Sequence, residues 1–182
     1  MKAQPQDDSR DLPLSATHLL LGCILALGLA LRCIHLNASL WYDEVETSLM
    51  AHNTVSDILF LRVNPLYYIL AKMGLWLGDY ETMIRIPSVI MGLLAILAIY
   101  WLASIHSRMT GVVAAALLAF SPYHVMYSQE ARCYTIMILA GILVAILLHR
   151  AALARGRWFD WVSYTLICAA GLLGHPSCVP FR

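Results

Sequence analysis

The sequence predicts an all-α polytopic membrane protein with about five transmembrane helices and short amphipathic helices in the first loop outside the membrane. Three observations predict it. Of 182 residues, 60% are hydrophobic and 13% charged, against roughly 25% charged in soluble domains, and the mean hydropathy is +0.71. Apolar runs close to the roughly 20 residues needed to cross a hydrocarbon layer recur along the chain. Basic residues gather in one short connection between two such runs. The net charge of +1 supplies no field that would draw the chain to nucleic acid, which excludes that partner as a first reading.

Residues 1–17 form a polar tail before the first span, 18–36, which is too long for a signal-peptide core and lacks a small-residue cleavage pattern. The other spans are 86–103, 111–127, 134–148 and 158–174, the last with Trp158 and Trp161 where an interfacial aromatic belt falls. Residues 65–77 are apolar but short, with Lys72 in their middle, and suit an interfacial helix better than a span. Were they a span, the N-terminus would lie outside. The five cysteines, Cys23, Cys33, Cys133, Cys168 and Cys178, sit mostly in apolar runs without a C-x-x-C pair and read as small packing residues.

Orientation follows from loop charge. His149, Arg150, Arg155 and Arg157 make the most basic connection, and short basic loops stay cytoplasmic. Residues 128–133 are then outside, 105–110 inside, 37–85 outside, and the 1–17 tail cytoplasmic. One membrane domain, 18–175, carries a short tail, 176–182. In the first external loop Asp43 and Glu46 are spaced as a capping box opening a helix to about His52, and Asn64 before Pro65 is an N-cap with proline at the first helical position.

Two polar clusters lie at external helix ends. In Trp41-Tyr42-Asp43-Glu44-Val45-Glu46 a carboxylate at the water boundary can take a proton from an acceptor hydroxyl or amine. The plainer reading is that Asp43 caps the helix and Glu44 is solvated. In Ser128-Gln129-Glu130-Ala131-Arg132-Cys133-Tyr134 an arginine fork suits a phosphate, and Glu130 and Tyr134, four apart, share a helical face while Arg132 points elsewhere. Here the plainer reading has Ser128 as a cap, Glu130 at the positive end of a helix and Arg132 snorkelling to headgroups. Arg32, Arg62 and Arg85 either line an anionic pocket or snorkel, and His175 either pairs with the acidic site or is interfacial.

The order Arg32, Ser39-Leu40-Trp41-Tyr42-Asp43-Glu44, Asn64-Pro65-Leu66-Tyr67-Tyr68, Arg85-Ile86-Pro87-Ser88, Ser121-Pro122 and Tyr127-Ser128-Gln129-Glu130-Ala131-Arg132-Cys133-Tyr134 resembles the N-terminal part of a GT-C-fold membrane glycosyltransferase. The similarity is to the protein O-mannosyltransferase and aminoarabinose transferase type, over about residues 29–175. It implies transfer of a sugar from a polyprenyl-phosphate donor to a lipid, glycan or protein acceptor at the outer face of a bacterial inner membrane. By resemblance, Asp43 acts as base or orients the acceptor with Glu44 as its partner, and Glu130 and Arg132 lie near donor phosphate and sugar. Tyr134, Arg62, Arg85 and His175 join the substrate-binding set. No cofactor is certain; some relatives use a divalent cation and others do not. Many relatives have two prolines before the leucine-tyrosine pair and a lysine ahead of them, where this chain has Arg62-Val63-Asn64-Pro65. The family has roughly ten or more spans, so the expectation is a truncated fragment. The alternatives are a fragment of a polytopic transporter or flippase, with charges near the middle of broken helices, and a non-catalytic membrane subunit.

Overall fold

A computed structural model describes residues 12–61, 64–78, 80–153 and 158–174. Among them the ordered elements are helices: α1 (Leu14–Cys33), α2 (Tyr42–His52), α3 (Val55–Leu61), α4 (Pro65–Leu75), α5 (Tyr80–Met83), α6 (Ile86–Ala103), α7 (Arg108–Ala119), α8 (Pro122–Gln129), α9 (Tyr134–Leu153) and α10 (Trp158–Gly174). Three of the described helices, α1, α6 and α9, are long and apolar enough to cross a membrane, and the bent pair α7 and α8 makes a fourth. At 17 residues α10 reaches about 26 Å, the short limit for a span.

The span expected over 111–127 is broken, with a bend of 59° between α7 and α8. Its cause is local. Pro122 has no N–H to give the preceding turn, and Ser121 before it is pushed to an extended backbone, φ −63° and ψ 122°. The central helix is α6, packed on α1, α7, α8 and α9. Lipid gives no hydrophobic drive between helices, so close approach through small residues matters. Ala95, Ala115 and Ala119 are fully buried, and Gly92 lets α8 come so near that an added Cβ would run into the Ser128 hydroxyl.

The segment between α1 and α6 folds as α2 to α5. Here α4 is less a surface helix than expected: Tyr67, Tyr68, Ala71 and Gly74 are buried, and it packs on α2, α3, α6 and α10. Lys72 turns toward α2, where its Nζ donates to the Ala51 and Asn53 carbonyls at 3.2 and 3.1 Å. These lie at the C-terminal end of α2, where carbonyls have no helical partner. A second core, with Ala51, Tyr67, Ala71, Ile84, Ala131, Cys133 and Ile136, joins this segment to the N-terminal ends of α6 and α9. Exposed Phe60 and Trp76 remain as apolar surface.

Candidate functional site

The site is built around one buried ion pair. Arg85, just before α6, donates Nε to Glu44 Oε1 at 2.8 Å and Nη2 to Glu44 Oε2 at 2.5 Å. Its Nη1 donates to the Leu36 and Ala38 carbonyls at 2.7 and 2.6 Å, and Nη2 to Ser39 at 3.4 Å. All five guanidinium N–H groups are thereby engaged within the chain. Glu44, with no exposed surface, also accepts from the Ala131 backbone N–H at 2.8 Å and the Trp41 N–H at 3.4 Å. Four donors thus meet one carboxylate, the condition under which a buried charge is tolerated. The pair joins four pieces of chain: the turn after α1, the first turn of α2, the start of α6 and the loop 130–133.

This corrects the expected cap. Helix α2 begins at Tyr42 with Trp41 at the N-cap, and the side chain reaching back is Glu44. The reciprocal half of a capping box is missing because an indole has no acceptor. At Asn64 proline does open the helix, but the Asn64 side chain makes no cap hydrogen bond and bonds Tyr68 instead.

Asp43, one residue earlier and so about 100° round the helix from Glu44, faces a different surface and keeps its side chain 30% exposed. Arg132 Nη2 lies 3.3 Å from Asp43 Oδ2, its Nη1 donates to the Asp43 carbonyl at 3.4 Å, and Glu46 is 3.8 Å away. The Arg132 backbone is held from below. Tyr67 donates its hydroxyl to Ser88 Oγ at 2.7 Å, and Ser88 donates to the Arg132 carbonyl at 3.1 Å. Burial works against the Arg132 charge, but the Tyr134 hydrogen bond and the Asp43 charge outweigh it and raise its pKa. Thr47, Asn64, Tyr67, Tyr68, Arg132 and Cys133 line one cleft beside this pair.

Glu130 follows α8 in an extended conformation, φ −97° and ψ 140°. The residues after it are irregular until Tyr134 opens α9, so Glu130 and Tyr134 do not share a helical face as their spacing suggested. Burial raises the Glu130 pKa, with the Glu44 and Asp43 charges adding to it against Arg132. Cys133 is buried in the same loop.

Asp43, Glu44, Arg85, Glu130, Arg132 and Tyr134 therefore meet at one mouth, while Arg62 and His175 lie outside the described residues. Arg85 has no donor left for a ligand, and Glu44 is enclosed by its own donors. Sequence reasoning gave no role to Tyr67 or Ser88, which anchor Arg132. Their signal was only their place in the Asn64-Pro65-Leu66-Tyr67-Tyr68 and Arg85-Ile86-Pro87-Ser88 motifs. Among the described residues no three His, Cys, Asp or Glu side chains are grouped to hold a metal ion.

No curated protein and no solved structure matches this chain. The sequence profile of the dolichyl-phosphate-mannose-protein mannosyltransferase family matches residues 62–181, about two thirds of the chain. The matched stretch takes in Arg85, Ser88 and the Glu130 to Tyr134 loop and leaves out Asp43 and Glu44. A multi-pass helical bundle with carboxylates and an arginine at one helix-end mouth agrees with that match, and the chain belongs to the dolichyl-phosphate-mannose-protein mannosyltransferase family of membrane glycosyltransferases.

Proposed function

We propose that the mouth formed by α2 and the 130–133 loop is a sugar-transfer site facing the outside of a bacterial inner membrane, with a polyprenyl-phosphate sugar as donor and a lipid, glycan or protein as acceptor. The observation that carries this reading is the Asp43–Arg132 pair: a partly exposed carboxylate 3.3 Å from a guanidinium, on a frame locked by Glu44 and Arg85. Transfer needs both groups. The acceptor oxygen bonds to the anomeric carbon as the bond from that carbon to the phosphate oxygen breaks. Asp43 takes the acceptor proton, the electron pair leaves with the lipid phosphate, and Arg132 meets the charge that develops there. Glu130 and Tyr134 stand beside the sugar in this scheme, and Glu44 and Arg85 position Asp43 and the loop without touching substrate. Arg62 stands in for the phosphate-binding lysine of relatives by resemblance, and His175 joins the substrate-binding set by its place after the last span.

A transporter would keep its charges at a broken span, and Arg32 and His124 do lie by the α7–α8 break. Family membership and the groups collected at the α2 mouth favour transfer. The test is Asp43→Asn in membranes supplied with polyprenyl-phosphate sugars: transfer falls by about 10²–10⁴-fold, with insertion and expression unchanged. Transfer at the parent rate removes Asp43 from the mechanism. A chain that carries the lipid across vesicles without transferring sugar reverses the choice.

A further inference from the structure

Arg32, at the outer end of α1, has no exposed surface and does not reach for the headgroups as a snorkelling arginine does. Its Nη1 donates to Gly28 in its own helix at 2.8 Å and to the Ala119 carbonyl, in the last residue of α7, at 3.2 Å. Its Nη2 donates to His124 Nδ1 in α8 at 2.6 Å. One guanidinium thus touches both arms of the broken span. The Ala119 carbonyl is orphaned where Ser121 and Pro122 end the α7 ladder, and a cation there also meets the negative end of the α7 dipole. No carboxylate among the described residues lies within ion-pair distance of Arg32. A buried charge without a counter-ion is costly to keep inside a membrane bundle, and a purely packing role would be served by an apolar side chain.

The consequence of the break travels along α8. This helix is about 12 Å long, and Gln129 at its end donates to the Leu31 and Ile34 carbonyls of α1 and the turn after it at 2.9 and 3.0 Å. Glu130, Ala131 and Arg132 follow directly. A swing of about 10° at the break moves the end of α8 by about 2 Å. That is enough to part the Ala131 N–H from Glu44, now at 2.8 Å, and Arg132 from Asp43, now at 3.3 Å.

We propose that Arg32 is a positioning residue: by bridging the Ala119 carbonyl and His124 it sets the bend of the α7–α8 span and so holds the 130–133 loop against α2. The bridge stands on the geometry alone, and only its use in sugar transfer rests on the proposed function. Cys133, buried in that loop, is the reporter. The full chain is prepared in detergent with Cys23, Cys33, Cys168 and Cys178 changed to serine, and maleimide labelling of Cys133 is timed with neither donor nor acceptor present.

Arg32→Ala raises the labelling rate about tenfold, and His124→Phe, which keeps Arg32 but removes its acceptor, raises it in the same direction. Arg32→Lys, whose ammonium still reaches Ala119, restores most of the protection. A reference thiol, Ile58→Cys in the cysteine-free chain, sits on α3 at a fully buried position outside the cluster that contains Cys133 and stays slow in every variant. An unchanged Cys133 rate in Arg32→Ala, or equal acceleration at both thiols, overturns the proposal. Because labelling needs no substrate, it can fail while sugar transfer stands, and the reverse.

Discussion

Glu44→Gln preserves the shape of the side chain and removes its charge. In the folded chain four donors converge on the two carboxylate oxygens: Arg85 Nε and the Ala131 N–H on Oε1, Arg85 Nη2 and the Trp41 N–H on Oε2. An amide has one acceptor atom, so whichever way it is turned two donors face an NH₂ group instead of an oxygen. Losing two bonds that involve a charge, each worth about 1.5–3 kcal/mol, agrees with the 3–5 kcal/mol that removing one partner of a buried ion pair costs. For a chain of this size that is a fall in Tm of roughly 6–20 °C. The assay is thermal unfolding of the detergent-solubilised chain, run as a cycle with Arg85→Gln and the double variant. The double variant should cost clearly less than the two singles together, since neither charge is then left alone. Strict additivity, or a single variant within about 2 °C of the parent, refutes the claim that this pair holds the mouth together.

Glu130 carries a pH signature. Its folded pKa is raised above the ordinary 4.5 by burial and by Glu44 and Asp43, so the protonated carboxyl favours the fold: that stabilisation is complete below about pH 4.5 and is lost as pH rises through the higher folded value. Glu130→Gln should therefore be neutral or slightly stabilising near neutral pH and should flatten the pH dependence of unfolding above 4.5; an unchanged profile assigns that dependence elsewhere. Lys72→Met removes the donor to the Ala51 and Asn53 carbonyls and should cost about 1–3 kcal/mol, read as a lowered Tm and faster proteolysis near Asn53; parent-like values of both would mean water serves those carbonyls equally well. Since Cys133 is buried, orientation is better read at Cys33, exposed at the end of α1: a membrane-impermeant thiol reagent should label it from outside in intact cells, and labelling only in inverted vesicles would reverse the topology.

Much of the site was visible as residues and little of it as pairs. Asp43, Glu44, Arg85, Glu130 and Arg132 could be singled out because charges are rare and conspicuous beside apolar runs. Their division of labour could not be read. Asp43 and Glu44 are neighbours of the same chemistry, yet the rotation of α2 sends one to the surface and the other to an arginine 41 residues away. The expected cap failed for the same reason, because Glu46 has the spacing but Glu44 has the position. Ser121-Pro122 stood in plain view as a helix-breaking pair, but nothing local says that Arg32 would fill the gap it opens.

By itself the amino-acid order settled the helical membrane character and the runs that become helices, because hydropathy adds up over some 20 consecutive residues and a proline acts on its own turn. Family membership was legible for a related reason, since short motifs keep their order along the chain. The folded structure alone decided which carboxylate is enclosed and which is exposed, and that Arg32 points inward. Those outcomes hinge on hydrogen-bond partners brought together from 41, 87 and 92 positions away, and a buried charge takes its place from whichever partners the packing delivers.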